Sequence, residues 1–228
     1  MIGIICALSA EAEFLKNEMN VRMMKTVAGA EYVSGKLFGK DAVIVVCGIG
    51  KVFAAVAAQT IVCEYSPDII INTGVCGSLI PELKINDILV ASGAVQHDMD
   101  TSGLGDPPGM VSGVNVIEFP CSKQLGEMFL ASCERAGFSA RTGIIATGDQ
   151  FIGGGEKKEY LAEHFGASGC DMESGAIAHV CYINKLPCAI IRAISDNADE
   201  GADVSYAEFV KGAAERSAKI VGDVIARI

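Results

Sequence analysis

Short runs of apolar residues recur along the chain, and each is bounded by glycine, proline or an acidic residue. Because they are short and rich in β-branched residues, these runs predict strands that are buried on both faces. The runs are IGIICAL (2–8), AVIVVCGIG (42–50), DIIINTGVCG (68–77), DILVASGAV (87–95), TGIIATGD (142–149) and PCAIIRAIS (187–195).

Helical stretches separate these apolar runs. They cover roughly residues 9–19, 51–65, 122–136, 156–165, 172–184 and a final stretch from 205. Ser205 and Glu208 stand at capping-box spacing, which predicts that the last helix begins there. Since strand and helix alternate along the chain, the fold class is predicted to be α/β.

Two segments differ from this alternation. In EYVSGKLFGKDAVIVV (31–46), two extended runs flank FGKD and predict a hairpin at the edge of a mixed sheet. The segment TSGLGDPPGMVSG (101–113) is irregular and is interpreted as a functional loop or subunit contact. No interdomain linker separates the elements, so residues 1–228 are expected to form a single domain.

Composition excludes several classes of protein. The 28 acidic and 18 basic residues give a net charge of -10, which disfavours nucleic acid and anionic membranes as partners. Nine cysteines without CxxC spacing fit neither a disulfide framework nor a zinc site, and they suit a reducing compartment. The apolar start of the chain has no basic region before it, and no apolar stretch is long enough to span a bilayer. We therefore expect a cytoplasmic protein without a metal.

Candidate functional residues follow the ends of the predicted strands, where ligands bind in open α/β sheets. Glu11 opens the first helix, Gly48 and Gly50 end the second run, and Ser195 and Asp196 end the last. The CGIGKV segment does not match a dinucleotide-binding fingerprint, because a phenylalanine stands where the third glycine belongs. No nicotinamide or other cofactor is therefore expected.

The segment GCDMESGAIAHV places Asp171, Met172 and Glu173 at the start of a helix that is otherwise almost entirely apolar. Each acidic residue also has an ordinary interpretation: Glu11 and Glu173 as partners of a helix dipole, and Asp196 as an Asx turn. Their shared position at one edge of the sheet favours an acid and a base that act on one small molecule.

The chain resembles the 5'-methylthioadenosine/S-adenosylhomocysteine nucleosidases of the nucleoside phosphorylase superfamily. The resemblance covers essentially the whole chain and lies in IGIICALSAEAEFL, CGIGKVFAA, PDIIINTGVCGSL, QHDMD, TGDQFIGG, DMESGAIAHV and IIRAISDNAD, which follow the order and spacing of that family. It implies a three-layer α/β domain with a mixed, barrel-like twisted sheet. It also implies a homodimer in which residues 98–113 lie near the partner's site.

The resemblance implies hydrolysis of the N-glycosidic bond of 5'-substituted adenosines without a cofactor. Asp196, oriented by Ser195, would protonate the departing adenine, and Glu11 would be the base for water with Arg192 nearby. Burial or a neighbouring anion would have to raise the pKa of Asp196 from its reference value of about 3.9 toward neutrality. The remaining residues that the family pattern places at the substrate are Glu173 and Met172 at the ribose, Phe151 and Ile152 at the purine, and Asp171, Ile49, Val75 and Tyr206 around them.

Two alternatives remain open at this point. One is a phosphate-dependent nucleoside phosphorylase, which Glu11 disfavours by its negative charge and Arg192 favours. The other is a non-catalytic nucleoside-binding protein. The chain also departs from the family pattern in two places: Val75 stands where serine is common, and residues 100–110 lack the aromatic side chains of many relatives.

Overall fold

A computed structural model describes residues 1–199 and 202–228 and forms one ten-stranded mixed sheet flanked by helices. The strands are β1 Ile2–Cys6, β2 Met19–Val27, β3 Ala30–Leu37, β4 Lys40–Val46, β5 Ile69–Ser78, β6 Ile88–Gln96, β7 Glu118–Pro120, β8 Ala140–Thr147, β9 Ala167–Asp171 and β10 Cys188–Asp196. The helices are α1 Ser9–Asn17, α2 Lys51–Tyr65, α3 Lys123–Ala136, α4 Gly155–Phe165, α5 Ser174–Ile183 and α6 Ala202–Arg227. The predicted α/β class is confirmed.

Part of the sheet closes on itself. Strands β5, β10, β6, β8 and β9 form a ring, because β10 pairs with β5 as well as with β6 and β9 returns to β5. The open arm runs from β5 through β1, β4 and β3 to β2. This arrangement confirms the barrel-like twisted sheet. Strands β1, β5 and β10 are parallel, so their carboxyl ends meet at one edge.

Apolar side chains fill both faces of the sheet. Helices α1, α3 and α6 pack on one face through Leu15, Phe129 and Val221 among others, and α2 and α5 pack on the other face. Strand β1 contributes to both clusters, with Ile4 in one and Ile5 in the other. The alternation of side chains in a strand thus explains why its sequence is apolar throughout. The result is three layers, as expected.

The predicted hairpin is confirmed, but its place in the sheet is not. Strands β3 and β4 are antiparallel, and Leu37 pairs with Lys40 at the end next to the turn. The two turn residues, Phe38 and Gly39, both have positive φ, as a two-residue hairpin turn of type I′ requires. The edge of the sheet is β2, which was not predicted. Seven of its nine residues are exposed, and its polar residues Asn20, Arg22, Lys25 and Thr26 interrupt the apolar ones, so it lacks the continuous apolar run that identified the other strands.

Three further differences arise where packing overrides local pattern. Strands β7 and β9 were missed because β7 is only three residues long and β9 consists of small residues. Helix α6 begins at Ala202 rather than at Ser205, so the predicted capping box is wrong. The amide of Ala202 donates to the carbonyl of Asp199 (2.9 Å) and its side chain is buried, which extends the helix.

The predicted irregular segment at residues 101–113 contains a short 3-10 turn, Ser102–Leu104. In the described part of the chain, no helix combines the length and the apolar composition needed to cross a bilayer.

Candidate active site

A cavity of about 360 Å³ opens at the sheet edge where β1, β5 and β10 end. Five lining residues were not identified from the sequence: Ala7, Leu8, Cys76, Gly77 and Cys170. They adjoin or end strands, so strand ends were the signal that could have found them. The cavity brings together most of the predicted site residues: Glu11, Ile49, Val75, Phe151, Asp171, Met172, Glu173, Ser195, Asp196 and Tyr206.

Asp196 lies at the end of β10, and only 3% of its surface is exposed. The hydroxyl of Ser195 donates to Oδ2 (2.8 Å), and the amide of Ala198 donates to Oδ1 (2.9 Å). Burial raises the pKa of Asp196 above its ordinary value, although these two hydrogen bonds oppose the shift. Asp196 therefore forms the predicted Asx turn, through the Ala198 amide, and is also a buried acid. A carboxyl group with a raised pKa can donate a proton at a pH where an exposed aspartate is ionised.

Glu11 lies in the first turn of α1, across the cavity. Its Oε2 accepts hydrogen bonds from the amides of Ala7 (2.8 Å) and Leu8 (2.9 Å), and Oε1 accepts one from the amide of Val75 (3.2 Å). Burial raises the pKa of Glu11, while the charge of Arg192 and the three amides lower it. The donors fix the carboxyl group in place and favour the ionised form that a base needs.

Two glycines of β5 make room for these acids. A Cβ on Gly74 would lie 2.5 Å from Oε1 of Glu11, and one on Gly77 would lie 2.8 Å from Oδ1 of Asp196. A side chain at either position would displace the carboxyl group opposite it. The glycines of this strand end therefore determine where both acids lie.

Glu173 is the residue immediately before α5 and is buried at the cavity wall. Its Oε1 accepts a hydrogen bond from the amide of Gly50 (2.8 Å), whose φ of 104° is a conformation that favours glycine. Burial, and then the charge of Asp171, raise the pKa of Glu173 to about 7. The carboxyl group thus has few donors of its own and suits a ligand that supplies hydroxyl groups.

Arg192 does not line this cavity. Its guanidinium donates to Oδ2 of Asp171 (3.0 and 2.8 Å), to Oγ of Ser174 (2.8 Å) and to Oδ1 of Asn72. Asp171 also accepts a hydrogen bond from the hydroxyl of Thr147 (2.5 Å). The sequence prediction did not identify Asn72, Thr147 or Ser174 as partners of this buried ion pair.

Arg192 was expected near Glu11; its charge reaches Glu11, but the side chain lies outside the cavity lining. Burial alone would lower its pKa, but the carboxylates of Asp171, Glu11 and Glu173 raise it above its ordinary value. The positive charge of Arg192 therefore acts on Glu11 and Glu173 from outside the cavity lining. Its Nε and Nη2 donors are engaged and the side chain is buried, so it is not available to hold a phosphate ion.

Aromatic and apolar side chains cover the other side of the cavity. The rings of Phe151 and Tyr206 meet edge to face, with centroids 5.9 Å apart, and burial raises the pKa of Tyr206. Ile49 is half exposed at the rim. Ile152 is buried and lines a smaller cavity of about 40 Å³ that also borders Asp196. Such surfaces suit a planar, weakly polar group.

No group of three potential metal ligands is arranged to bind an ion within residues 1–199 and 202–228. His97 is buried, and its ring nitrogens have no hydrogen-bond partner within that part of the chain.

Comparisons with known proteins identify relatives along the full chain. Residues 1–226 match the sequence model of the Phosphorylase superfamily. A 5'-methylthioadenosine/S-adenosylhomocysteine nucleosidase of Haemophilus influenzae is 37% identical over 228 residues, covering 100% of this chain and 99% of the relative. The nucleosidase of the same name from Staphylococcus aureus is 34% identical and is covered over its full length, as is this chain.

Solved structures also match the full chain. The 5'-methylthioadenosine/S-adenosylhomocysteine nucleosidase of Neisseria meningitidis in complex with methylthio-immucillin-A has a TM-score of 0.95 at 35% identity, covering 100% of this chain and 99% of that chain. The futalosine hydrolase of Helicobacter pylori also has a TM-score of 0.95, at 32% identity, covering 100% of this chain and 97% of that chain.

The raised pKa of Glu173 generates a prediction about stability. A buried glutamate whose pKa rises from 4.5 to about 7 on folding destabilises the native state increasingly as pH rises through that window. We expect Glu173→Gln to be more stable than the wild type above pH 7, with the difference shrinking toward pH 4.5. Urea unfolding across this range measures it, with exposed Glu163→Gln as the control. A difference that is independent of pH would contradict the prediction.

Proposed function

The chain belongs to the 5'-methylthioadenosine/S-adenosylhomocysteine nucleosidases of the Phosphorylase superfamily, and from that premise we propose that it hydrolyses the N-glycosidic bond of 5'-methylthioadenosine, S-adenosylhomocysteine and related 5'-substituted adenosines. The products are adenine and the thioribose. The observation that carries the proposal is the placement of Asp196, Glu11 and Glu173 around one cavity.

Asp196 is proposed as the general acid. A purine anion is a poor leaving group, so cleavage of the bond between ribose and base requires a proton on the departing ring. Burial raises the pKa of Asp196, which keeps a proton available, and the Ser195 hydroxyl and the Ala198 amide fix the orientation of the carboxyl group. The proton passes from Asp196 to adenine as the bond breaks.

Glu11 is proposed as the base that takes a proton from the attacking water. The water oxygen bonds to the ribosyl carbon on the face opposite the departing adenine, and a proton of the water passes to Glu11. The ribose carries positive charge in the oxocarbenium-like transition state, which the carboxylate charges of the cavity stabilise. Arg192 is proposed as a positioning residue, because it holds Asp171 and acts on Glu11 only through its charge.

The remaining residues bind the substrate. Glu173 accepts hydrogen bonds from the ribose hydroxyls beside Met172, which also relieves its own desolvation. Phe151 stacks on the purine, and the backbone of Ile152 contacts the purine edge. The other proposed substrate contacts are Asp171, Ile49, Val75 and Tyr206.

Water is favoured over phosphate as the nucleophile by the charge of the site. Four carboxyl groups line the cavity, from Glu11, Asp171, Glu173 and Asp196. None of the described lining residues is a lysine or an arginine, and the guanidinium of Arg192 is occupied. A phosphate dianion would meet repulsion without a compensating donor.

Replacing Asp196 by asparagine tests the acid directly. The amide keeps the shape of the side chain but cannot donate that proton, so we expect kcat to fall about a hundredfold to ten-thousandfold. Binding of 5'-methylthioadenosine, measured by calorimetry, should be retained. Adenine release in phosphate-free buffer measures turnover, and exposed Asp203→Asn is the matched control.

The same assay separates the alternatives. Adenine release by the wild type without phosphate supports the hydrolase, whereas release only after phosphate is added supports a phosphorylase. Binding without release supports a non-catalytic nucleoside-binding protein. A folded Asp196→Asn variant with wild-type turnover would refute the role of Asp196.

A homodimer and a cytoplasmic location are also part of the proposal. Helix α2 exposes Val52, Phe53 and Val56 beside the cavity rim, and Leu104 of the loop at 98–113 is exposed as well. Exposed apolar residues concentrated on one helix, as on α2, favour a protein interface. All nine cysteines are unpaired, which suits a reducing compartment.

A charge on α2 should weaken this dimer. Val52 is 73% exposed, and Val204 of α6 is exposed to a similar extent (67%), so the two positions form a matched pair. We expect Val52→Asp to shift the protein from dimer to monomer in sedimentation velocity, because a charge would be buried at the interface. Val204→Asp should remain dimeric. A wild type that sediments as a monomer would contradict the proposed dimer.

A further inference from the structure

Three charged residues from separate parts of the chain form a closed ring of hydrogen bonds beside the cavity. Lys51 is the first residue of α2, Asp98 follows β6, and Asp149 follows β8. None of them lines the cavity described above. The ring therefore joins three loops at the carboxyl edge of the sheet without being part of the binding surface.

Each member of the ring contacts both others. The backbone amide of Lys51 donates to Oδ1 of Asp149 (2.7 Å), and its ammonium donates to Oδ1 of Asp98 (2.6 Å). The backbone amide of Asp149 then donates to Oδ2 of Asp98 (3.0 Å). Burial opposes ionisation of Asp98, but the Lys51 ammonium and the Asp149 amide outweigh it and lower the pKa of Asp98.

The ring lies one or two residues from groups that contact the proposed substrate. Gly50 precedes Lys51, and its amide donates the hydrogen bond to Glu173 (2.8 Å). Phe151, at the cavity, follows Asp149 by two residues. Fixing the amide of Lys51 also fixes the peptide plane that follows Gly50, and fixing Asp149 limits where the segment carrying Phe151 can lie.

Packing around the ring leaves little room for another arrangement. A Cβ on Gly50 would lie 3.0 Å from Oδ1 of Asp149, and one on Gly148 would lie 2.4 Å from Nε2 of His97. Both glycines thus allow the loops to approach each other closely enough for the ring to form. The close approach distinguishes the ring from a surface ion pair, which would contribute little.

We propose that Lys51, Asp98 and Asp149 are positioning residues, which hold the Gly50 amide on Glu173 and the Phe151 segment over the base. The proposal rests on the proposed function, since Glu173 and Phe151 act there on the ribose and the purine. Both contacts exist in the ground state as well as in the transition state. Loss of the ring should therefore weaken substrate binding more than it slows the chemical step.

Asp149→Ala is the direct test, because Asp149 is exposed and its removal leaves no cavity in the core. We expect KM for 5'-methylthioadenosine to rise about tenfold to a hundredfold, with a much smaller change in kcat. Asp149→Asn retains an oxygen that can accept from the Lys51 amide, so it should restore most of the affinity. The matched control is Asp87→Ala, which removes a carboxylate that accepts from the backbone amide of Lys84 (2.9 Å) in a loop that precedes β6.

Amide hydrogen exchange gives a second measurement that does not depend on turnover. The Lys51 amide loses its acceptor in Asp149→Ala, so residues 49–52 should exchange faster there and remain protected in Asp87→Ala. A folded Asp149→Ala variant with wild-type KM would overturn the positioning role, even if the wild type is a hydrolase. A wild type that releases no adenine would instead overturn the proposed function, and unchanged exchange at residues 49–52 would then overturn the ring as well.

Discussion

Desolvation of carboxyl groups at one edge of the sheet is the constraint on which the site depends. Asp196, Glu11 and Glu173 are all removed from water, and burial raises the pKa of each. A buried acid without donors would be costly, and the chain compensates with backbone amides at all three acids and with the Ser195 hydroxyl at Asp196. The three groups differ in the donors they receive, which is how similar side chains can serve as acid, base and hydroxyl acceptor.

The closed ring of strands determines where those donors lie. Because β5 pairs with both β1 and β10, its residues face Glu11 at Gly74 and Asp196 at Gly77. Behind this wall, Arg192 and Asp171 form an ion pair that is completed by neighbouring polar side chains. The ion pair places a positive charge where it stabilises the glutamates without entering the cavity. Fold and chemistry are thus linked through the same strand ends.

Much of this arrangement could be predicted from the sequence, and the exceptions have physical reasons. Strands buried on both faces carry a clear apolar signal, and acids at their ends stand out against it. Polar residues inside such strands, Asn72 and Thr147, indicate buried hydrogen-bond partners, since buried polar groups require them. The direction of Arg192 depends on those partners. Strands β2 and β9 were missed because pairing, rather than composition, holds them in the sheet.

The most direct test of this account is the pKa of Asp196 in the folded protein. Carbon-13 NMR of labelled aspartate, with the Asp196→Asn variant used to assign the resonance, follows its titration without a substrate. The account predicts a pKa above the reference value of about 3.9 for an exposed aspartate. A pKa at or below that value would leave the site without a proton to donate near neutrality and would contradict the account.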